Sequence, residues 1–272
     1  MRWRVSASSA PSQPLPAVKP LVMAVRFVRQ FIGLCLALGI GCFGISVLNA
    51  ISLGRTANWC NPVLVRFFGR SMLWACGVKL VLEPGVAENF AVRRRRIILM
   101  NHTSTLDMFV MTTFWAPGPV AVAKKEFVWM PFFGWAALAL RFVLVDRGNR
   151  ERAVASMVRA AERIKRENRG IVVAPEGTRS RTGELQRFKL GAFHLAAQAE
   201  APLVPVVMHG NAVLWPRSQL ACRPGIVTIR VLPELAPLPS DAAADAFHSQ
   251  ADAAHAAYAA ALAEMAATVP VQ

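Results

Sequence analysis

A chain of 272 residues can bury one sizeable core, yet 54% of these residues are hydrophobic and only 17% charged, more apolar than an ordinary soluble domain at roughly 25% charged. Thirty-one Lys and Arg against 16 Asp and Glu give a formal net charge of +15, which points to anionic partners such as nucleic acid, lipid headgroups or phosphorylated small molecules. Five cysteines (Cys35, Cys42, Cys60, Cys76, Cys222), odd in number and without C-x-x-C spacing, argue against a disulfide framework and for free thiols in a reducing compartment.

Residues 1–20 are rich in Ser, Pro and Ala, lack periodicity and read as a disordered lead-in. Between Arg29 and Arg55 lie 25 residues without a charge, enough to cross a hydrocarbon core of roughly 30 Å and too long for the apolar region of a cleaved signal peptide. Arg26 and Arg29 precede the run and Arg55, Arg66 and Arg70 follow it, so a single span has no preferred orientation. A hairpin with both ends on the cytoplasmic side fits the charges. From Asn61 to Leu82 a helical pattern returns, and this helix could lie at the membrane interface or pack on the remaining domain. Gly39, Gly41 and Gly44 match G-x-G-x-x-G, but no strand precedes them. They are expected to serve close helix packing in lipid.

From residue 93 short apolar runs alternate with helical patterns. Strands are predicted at 97–100, 120–123, 142–145, 171–174, 204–208 and 226–231, with helices at 104–115, 151–167 and 188–199. Nearly all-apolar strands are the mark of a sheet covered on both faces. The expected fold is α/β: a mostly parallel central sheet flanked by helices, with an N-terminal membrane-associated helical hairpin. The expected division is a lead-in over 1–20, membrane-anchoring helices over 21–82, an α/β domain over 83–240 and an Ala-rich C-terminal helix over 241–272, with His248 and His255 on its surface.

His102 directly follows the predicted strand ending at Met100, and Asp107 lies five residues on. Within one continuous helix that spacing would turn Asp107 about 140° away from His102, so the two can meet only if His102 lies in a strand-to-helix loop. Carboxyl ends of strands are where α/β sheets place their sites. The segment admits two roles. Ser104-x-x-Asp107 can be a capping box with His102 a loop residue, or the pair can be an imidazole oriented by a carboxylate, which would suit it to take a proton from an alcohol. Pro175-Glu176-Gly177-Thr178-Arg179-Ser180 follows another strand and combines an Arg, a Gly and hydroxyls in a turn fit for phosphate, or for a plain surface turn. Lys124-Lys125-Glu126 and Asp146-Arg147 also follow strands, so cations gather on one rim. No His, Cys, Asp or Glu cluster has metal-ligand spacing, and His194 and His209 sit in or beside apolar stretches as structural residues.

Together these motifs resemble the glycerolipid acyltransferase family, in particular the bacterial 1-acyl-glycerol-3-phosphate acyltransferases. The resemblance spans roughly residues 75–235 and rests on four blocks in order. They are Asn101-His102-x4-Asp107, the stretch from Lys124-Lys125-Glu126 through Pro131 and Gly134 to Val145-Asp146-Arg147, then Pro175 to Ser180 trailed by Phe188-Lys189-Leu190-Gly191-Ala192, and Val204-Pro205-Val206. It implies His102 as general base and Asp107 as its partner. Arg147, Glu176, Gly177, Thr178 and Arg179 would bind the acceptor's glycerol phosphate, Lys125 and Lys189 would assist, and Val204-Pro205-Val206 would shape the acyl site. The implied reaction transfers a fatty acyl group from a thioester, acyl-CoA or acyl carrier protein, to the sn-2 hydroxyl of a lysophospholipid, without metal, cofactor or covalent acyl-enzyme. It would take place at the cytoplasmic face of the inner membrane. Two departures bear on the acceptor: Arg141 stands where the family often has Gly, and Leu190 where Lys is frequent.

Three rivals remain at this level. Another lysolipid, such as a lyso-ornithine lipid, would keep the chemistry and change the acceptor. A serine hydrolase would use Ser104 or Ser180 with His102, although the chain has no G-x-S-x-G elbow. A basic membrane- or nucleic-acid-binding protein would explain Arg93-Arg94-Arg95-Arg96, but that run lacks interleaved aromatics, which favours an anionic membrane and no nucleic acid as partner.

Overall fold

Every predicted strand becomes a strand because runs such as Ile97-Ile98-Leu99 have apolar side chains to offer to both faces of a sheet. The computed structural model describes residues 20–55, 57–114 and 120–271, so all but the last residue of the expected lead-in lies outside the described residues. The chain enters through helix α1 (Pro20–Leu36), continues through a π-helical stretch (Ala37–Phe43) into α2 (Gly44–Ile51), and folds back as α3 (Ala57–Cys76). Then follow β1 (Val78–Leu82), α4 (Val86–Ala91), β2 (Arg96–Met100), α5 (Leu106–Thr113), β3 (Val120–Lys124), a 3-10 turn (Lys125–Trp129), α6 (Phe133–Ala139) and β4 (Val143–Val145). The rest comprises α7 (Arg150–Glu167), β5 (Gly170–Val173), α8 (Gly191–Ala199), β6 (Leu203–His209), α9 (Asn211–Leu214), β7 (Gly225–Val231) and α10 (Ala244–Thr268).

The seven strands form one sheet in the order β1-β7-β6-β2-β5-β3-β4, parallel throughout except for the antiparallel pair β6–β7. Ile97, Ile98 and Leu99 of central β2 are fully buried. Ile98 faces a core shared with the N-terminal helices and α5, while Ile97 and Leu99 face a second core under α7, α8 and α10. At about 1.5–3 kcal/mol for each fully buried side chain, β2 is a stiff base for whatever its carboxyl end carries.

The helical hairpin is present, and it is bound to the sheet domain. Arg29 Nε donates to the Ala75 carbonyl (2.6 Å), and Gln30 exchanges two hydrogen bonds with the Cys222 backbone (2.6 and 2.8 Å). On its other side α3 packs on α5, with Phe68 stacked on Phe109 at 5.2 Å. A Cβ on Gly69 would come within 2.4 Å of the Phe109 carbonyl, so only glycine permits this approach. Of the two roles open to this helix, one face takes the packed one. Of the three glycines in G-x-G-x-x-G, Gly41 meets Phe68 closely while Gly39 meets nothing within 4 Å.

Four expectations need correction. The helical stretch expected to run to Leu82 ends at Cys76, and Val78–Leu82 is an edge strand paired with β7, because Gly77 at φ +71° turns the chain out of the helix. The sheet domain therefore begins before residue 83. The helix expected over 188–199 starts only at Gly191, since Lys189 is held in the loop by its N–H to the Pro175 carbonyl (2.8 Å). The short helices α4 and α6 were not anticipated, being under two turns and too brief for a 3.6-residue period to register. His255 is half-buried, edge-on to Phe188 at 5.2 Å, whereas His248 is exposed as expected.

Pro205 sits in the interior strand β6, where a missing N–H should weaken the ladder. Tyr258 of α10 repairs it: its buried hydroxyl donates to the Leu99 carbonyl (2.9 Å) and accepts from the Val206 N–H (3.0 Å). Tyr258→Phe is expected to strand both groups and lower stability by about 1–3 kcal/mol, measured as the shift in thermal unfolding of the detergent-solubilised protein. An unchanged midpoint would refute this role.

Candidate active site

The three central strands β6, β2 and β5 each deliver residues to one spot at their carboxyl ends. After β2 the chain crosses to the hairpin side through α5, while after β5 it crosses to the opposite face through α8. The loops therefore diverge and leave a crevice, as at the switch point of other α/β sheets. Asn101 extends the β2–β6 pairing with its side chain, donating to the Met208 carbonyl (2.9 Å) and accepting from the Met208 N–H (2.8 Å). This frees the main chain to turn, and His102 falls in the loop.

His102 Nδ1 lies 2.8 Å from Asp107 Oδ2. The same oxygen accepts the N–H groups of Thr103 (2.8 Å) and Ser104 (3.0 Å), and Asn211 Nδ2 donates to Oδ1 and to Thr103 Oγ1 (3.2 Å). Asp107 is fully buried in the first turn of α5, where the helix dipole favours a negative charge. The two roles open to this segment are thus compatible: one carboxylate reaches back to cap the loop N–H groups and also holds the imidazole. With Nδ1 tied to the carboxylate, the neutral ring presents a bare Nε2, and the His102 side chain is 28% exposed.

Glu176 and Ser180 fix the backbone of His102 from the other side. Glu176 Oε1 accepts the His102 N–H (2.6 Å), and Ser180 N–H donates to the His102 carbonyl (2.9 Å). Glu176 Oε2 takes the Gln186 N–H (3.1 Å) and its side-chain amide (3.2 Å). Burial lifts the Glu176 carboxyl above its ordinary range, and the hydrogen bonds from His102 and Gln186 pull the other way. With both oxygens occupied by protein donors, Glu176 holds the His102 loop to the Pro175–Ser180 turn. Two motifs separate in sequence are one structure.

Arg179 Nη1 donates to Thr105 Oγ1, bringing its guanidinium to the His102 loop. Burial lowers its pKa and the charge of Arg217 adds to this, with Asp107 acting in the opposite sense; the group stays protonated. Gly177 takes φ +74°, and the exposed Lys189 side chain lies over it, close enough that a Cβ there would be 3.0 Å from the ammonium nitrogen. Thr178 is exposed on the same turn, its carbonyl bound by Gln186 Nε2 (2.9 Å).

Lys125 and Arg147 stand elsewhere on the rim. Lys125 Nζ pairs with Asp146 Oδ2 (2.7 Å), tying β3 to β4. Arg147 follows β4, three strands from β2, or roughly 14 Å at ~4.8 Å per strand. Neither touches His102. Arg141 has φ +58°, which explains why glycine suits that position. Ser104 is fully buried, donating to the Trp215 carbonyl (2.7 Å) and accepting from Leu106 N–H (3.0 Å), and Ser180 Oγ accepts Gly183 N–H (3.1 Å). Neither hydroxyl is offered to the imidazole, so the hydrolase arrangement is not formed. Sequence reasoning missed Asn211, Gln186 and Thr105. Only Asn211 left a signal, as a polar residue just past the carboxyl end of a buried strand.

The acyltransferase family model matches residues 85–209. A 1-acyl-sn-glycerol-3-phosphate acyltransferase of Haemophilus influenzae is 35% identical over 66% of this chain and 77% of its own length. One from Limnanthes douglasii is 30% identical over 71% of each chain. Against the Cocos nucifera enzyme of the same name the identity is 34%, and the chain spans about half of that relative's length (51%). The crystal structure of the 1-acyl-sn-glycerophosphate acyltransferase of Thermotoga maritima superposes with a TM-score of 0.70, covering 90% of this chain and 99% of that one at 22% identity. That likeness is one of fold.

Proposed function

The chain belongs to the 1-acyl-sn-glycerol-3-phosphate acyltransferase family, and from this we propose that it converts 1-acyl-glycerol 3-phosphate to phosphatidate, with an acyl thioester as donor. The carrying observation is the His102 Nδ1–Asp107 pair at 2.8 Å, with Arg179 held to the same loop through Thr105 and Lys189 lying over Gly177 of the turn that braces it. Nε2 takes the proton of the sn-2 hydroxyl as its oxygen attacks the thioester carbonyl carbon. The tetrahedral intermediate expels the thiolate, and the imidazolium returns the proton to it, giving ester and free thiol. Asp107 stabilises the imidazolium in between. No metal or covalent acyl-enzyme takes part.

The donor is acyl-CoA or acyl carrier protein, and the site of action is the cytoplasmic face of an inner membrane. Leu21–Ile51, 31 residues long, is apolar and long enough to cross a bilayer by length and composition, and Phe27, Phe31, Ile40 and Ile51 on it are exposed. Trp129, 85% exposed, and Trp135 add aromatic surface suited to a membrane interface. Net charge +15 favours anionic lipid. A donor-by-acceptor matrix of purified enzyme, read by mass spectrometry of products, tests the reaction. Turnover of a lysolipid lacking the phosphomonoester with none of lysophosphatidate would overturn the acceptor.

Arg179→Ala is expected to raise the acceptor KM about 10- to 100-fold, the loss of a charge-assisted contact worth about 1.5–3 kcal/mol, with kcat changed far less. Steady-state kinetics over a range of acceptor concentrations reads this directly, and an unchanged KM detaches Arg179 from the phosphate.

A further inference from the structure

Between α9 and β7 the chain runs through residues 215–224 along the edge of the crevice. This loop is fastened at several points. Ser104 Oγ donates to the Trp215 carbonyl (2.7 Å), the Trp215 ring stacks on Phe109 at 6.3 Å with 5° between planes, and Trp215 Nε1 donates to the Gln219 carbonyl (3.0 Å). Arg223 N–H closes back on the Leu214 carbonyl (2.8 Å). From this anchored loop Arg217 reaches to the Pro175–Ser180 turn and donates Nη1–H to the Arg179 carbonyl (3.3 Å). Its side chain is exposed, so it remains open to a ligand.

Arg217 is thereby held on the turn that carries Arg179, and its charge lowers the Arg179 pKa. Arg94, Arg163 and Arg230 each face a glutamate, but among the described residues neither Arg179 nor Arg217 forms a salt bridge. Two cations carried to one turn, neither in a salt bridge, are relieved by an anion, and a phosphate dianion can accept from both guanidinium forks at once.

We propose that Arg217 binds the acceptor's phosphomonoester, closing with Arg179 a two-arginine clamp at the Pro175–Ser180 turn, over which Lys189 also lies. The proposal rests on the acceptor reading above. The position favours the acceptor's phosphate over the donor's. In 1-acyl-glycerol 3-phosphate the phosphate-bearing carbon adjoins the one carrying the reacting hydroxyl, so its cations must stand beside the base. Arg179 does so through Thr105, three residues from His102. The phosphates of a CoA or carrier-protein donor lie a full pantetheine arm from the thioester.

The test compares wild type with Arg217→Ala and Arg217→Lys, measuring lysophosphatidate KM, donor KM, kcat, and lysophosphatidate affinity by calorimetry in detergent. Arg217→Ala is expected to raise acceptor KM and Kd about tenfold, with kcat within about twofold and donor KM unchanged. Arg217→Lys should recover part of the affinity, since it keeps the charge and loses the fork. An unchanged acceptor KM and Kd in Arg217→Ala, or an equal rise for the donor, overturns the clamp while leaving the reaction standing. Conversely, if wild type binds lysophosphatidate without acylating it and Arg217→Ala loses that binding, the clamp stands and the assigned reaction falls.

Discussion

His102→Ala is expected to lower kcat by about 10²–10⁴-fold, the range carried by a positioned general base, while the acceptor's affinity stays within about threefold. An alcohol cannot ionise appreciably at neutral pH, so without Nε2 the hydroxyl must attack still bearing its proton. The variant should fold. Asp107 keeps the N–H groups of Thr103 and Ser104 and the amide of Asn211, so its buried carboxylate is not left bare when the imidazole goes. Glu176 and Ser180 bind the main chain of residue 102 and not its side chain, so the loop keeps its anchors. Rates of product formation together with lysophosphatidate titration decide the matter. A variant turning over at near wild-type rate would remove the base from the mechanism.

Asp107→Asn is expected to cost at least about 10²-fold in kcat with little change in stability, and the contrast with Asp107→Ala is what makes it informative. In the asparagine variant the amide oxygen can take the place of Oδ2 and still accept from His102, Thr103 and Ser104. The new NH2 then meets the Asn211 amide, which must rotate to present its oxygen. Geometry is largely kept, and the charge that supports the imidazolium is lost. In the alanine variant the two N–H groups and the Asn211 amide lose their buried acceptor, at about 1–3 kcal/mol for each group left unsatisfied. Asp107→Ala should therefore unfold at lower temperature as well as lose activity, whereas Asp107→Asn should lose activity alone. Equal melting points with equal rates for wild type and Asp107→Asn would show that the charge does nothing for catalysis.

Much of this protein was legible before its structure. The strand runs are continuous and apolar, a pattern that depends only on burial of both sheet faces, and all six predicted strands formed within a residue or two. The alternation of strand and helix implied a parallel sheet, and the His102-x4-Asp107 spacing lets the two residues meet only with a loop at its start. What was lost was short or non-local. Val78–Leu82 was absorbed into the preceding helical pattern because an edge strand of five residues carries little signal of its own, and its pairing with β7 joins residues nearly 150 apart. Asn211 and Arg217 belong to no local motif, and only the folding of β6 beside β2 brings them to the crevice.

The carboxylate under the imidazole marks the same boundary. By itself the sequence determined which residues could form a base and its partner, and that cations follow the strands, since spacing and composition are properties of the chain. The tertiary structure decided which cations matter to one another. Strand order places Arg179 beside the His102 loop and sets Arg147 three strands away, and Lys125 is paired with Asp146, which Arg152 also faces. Strand order is fixed by long-range burial, which no local pattern encodes, and charge acts over distances that only the folded sheet defines.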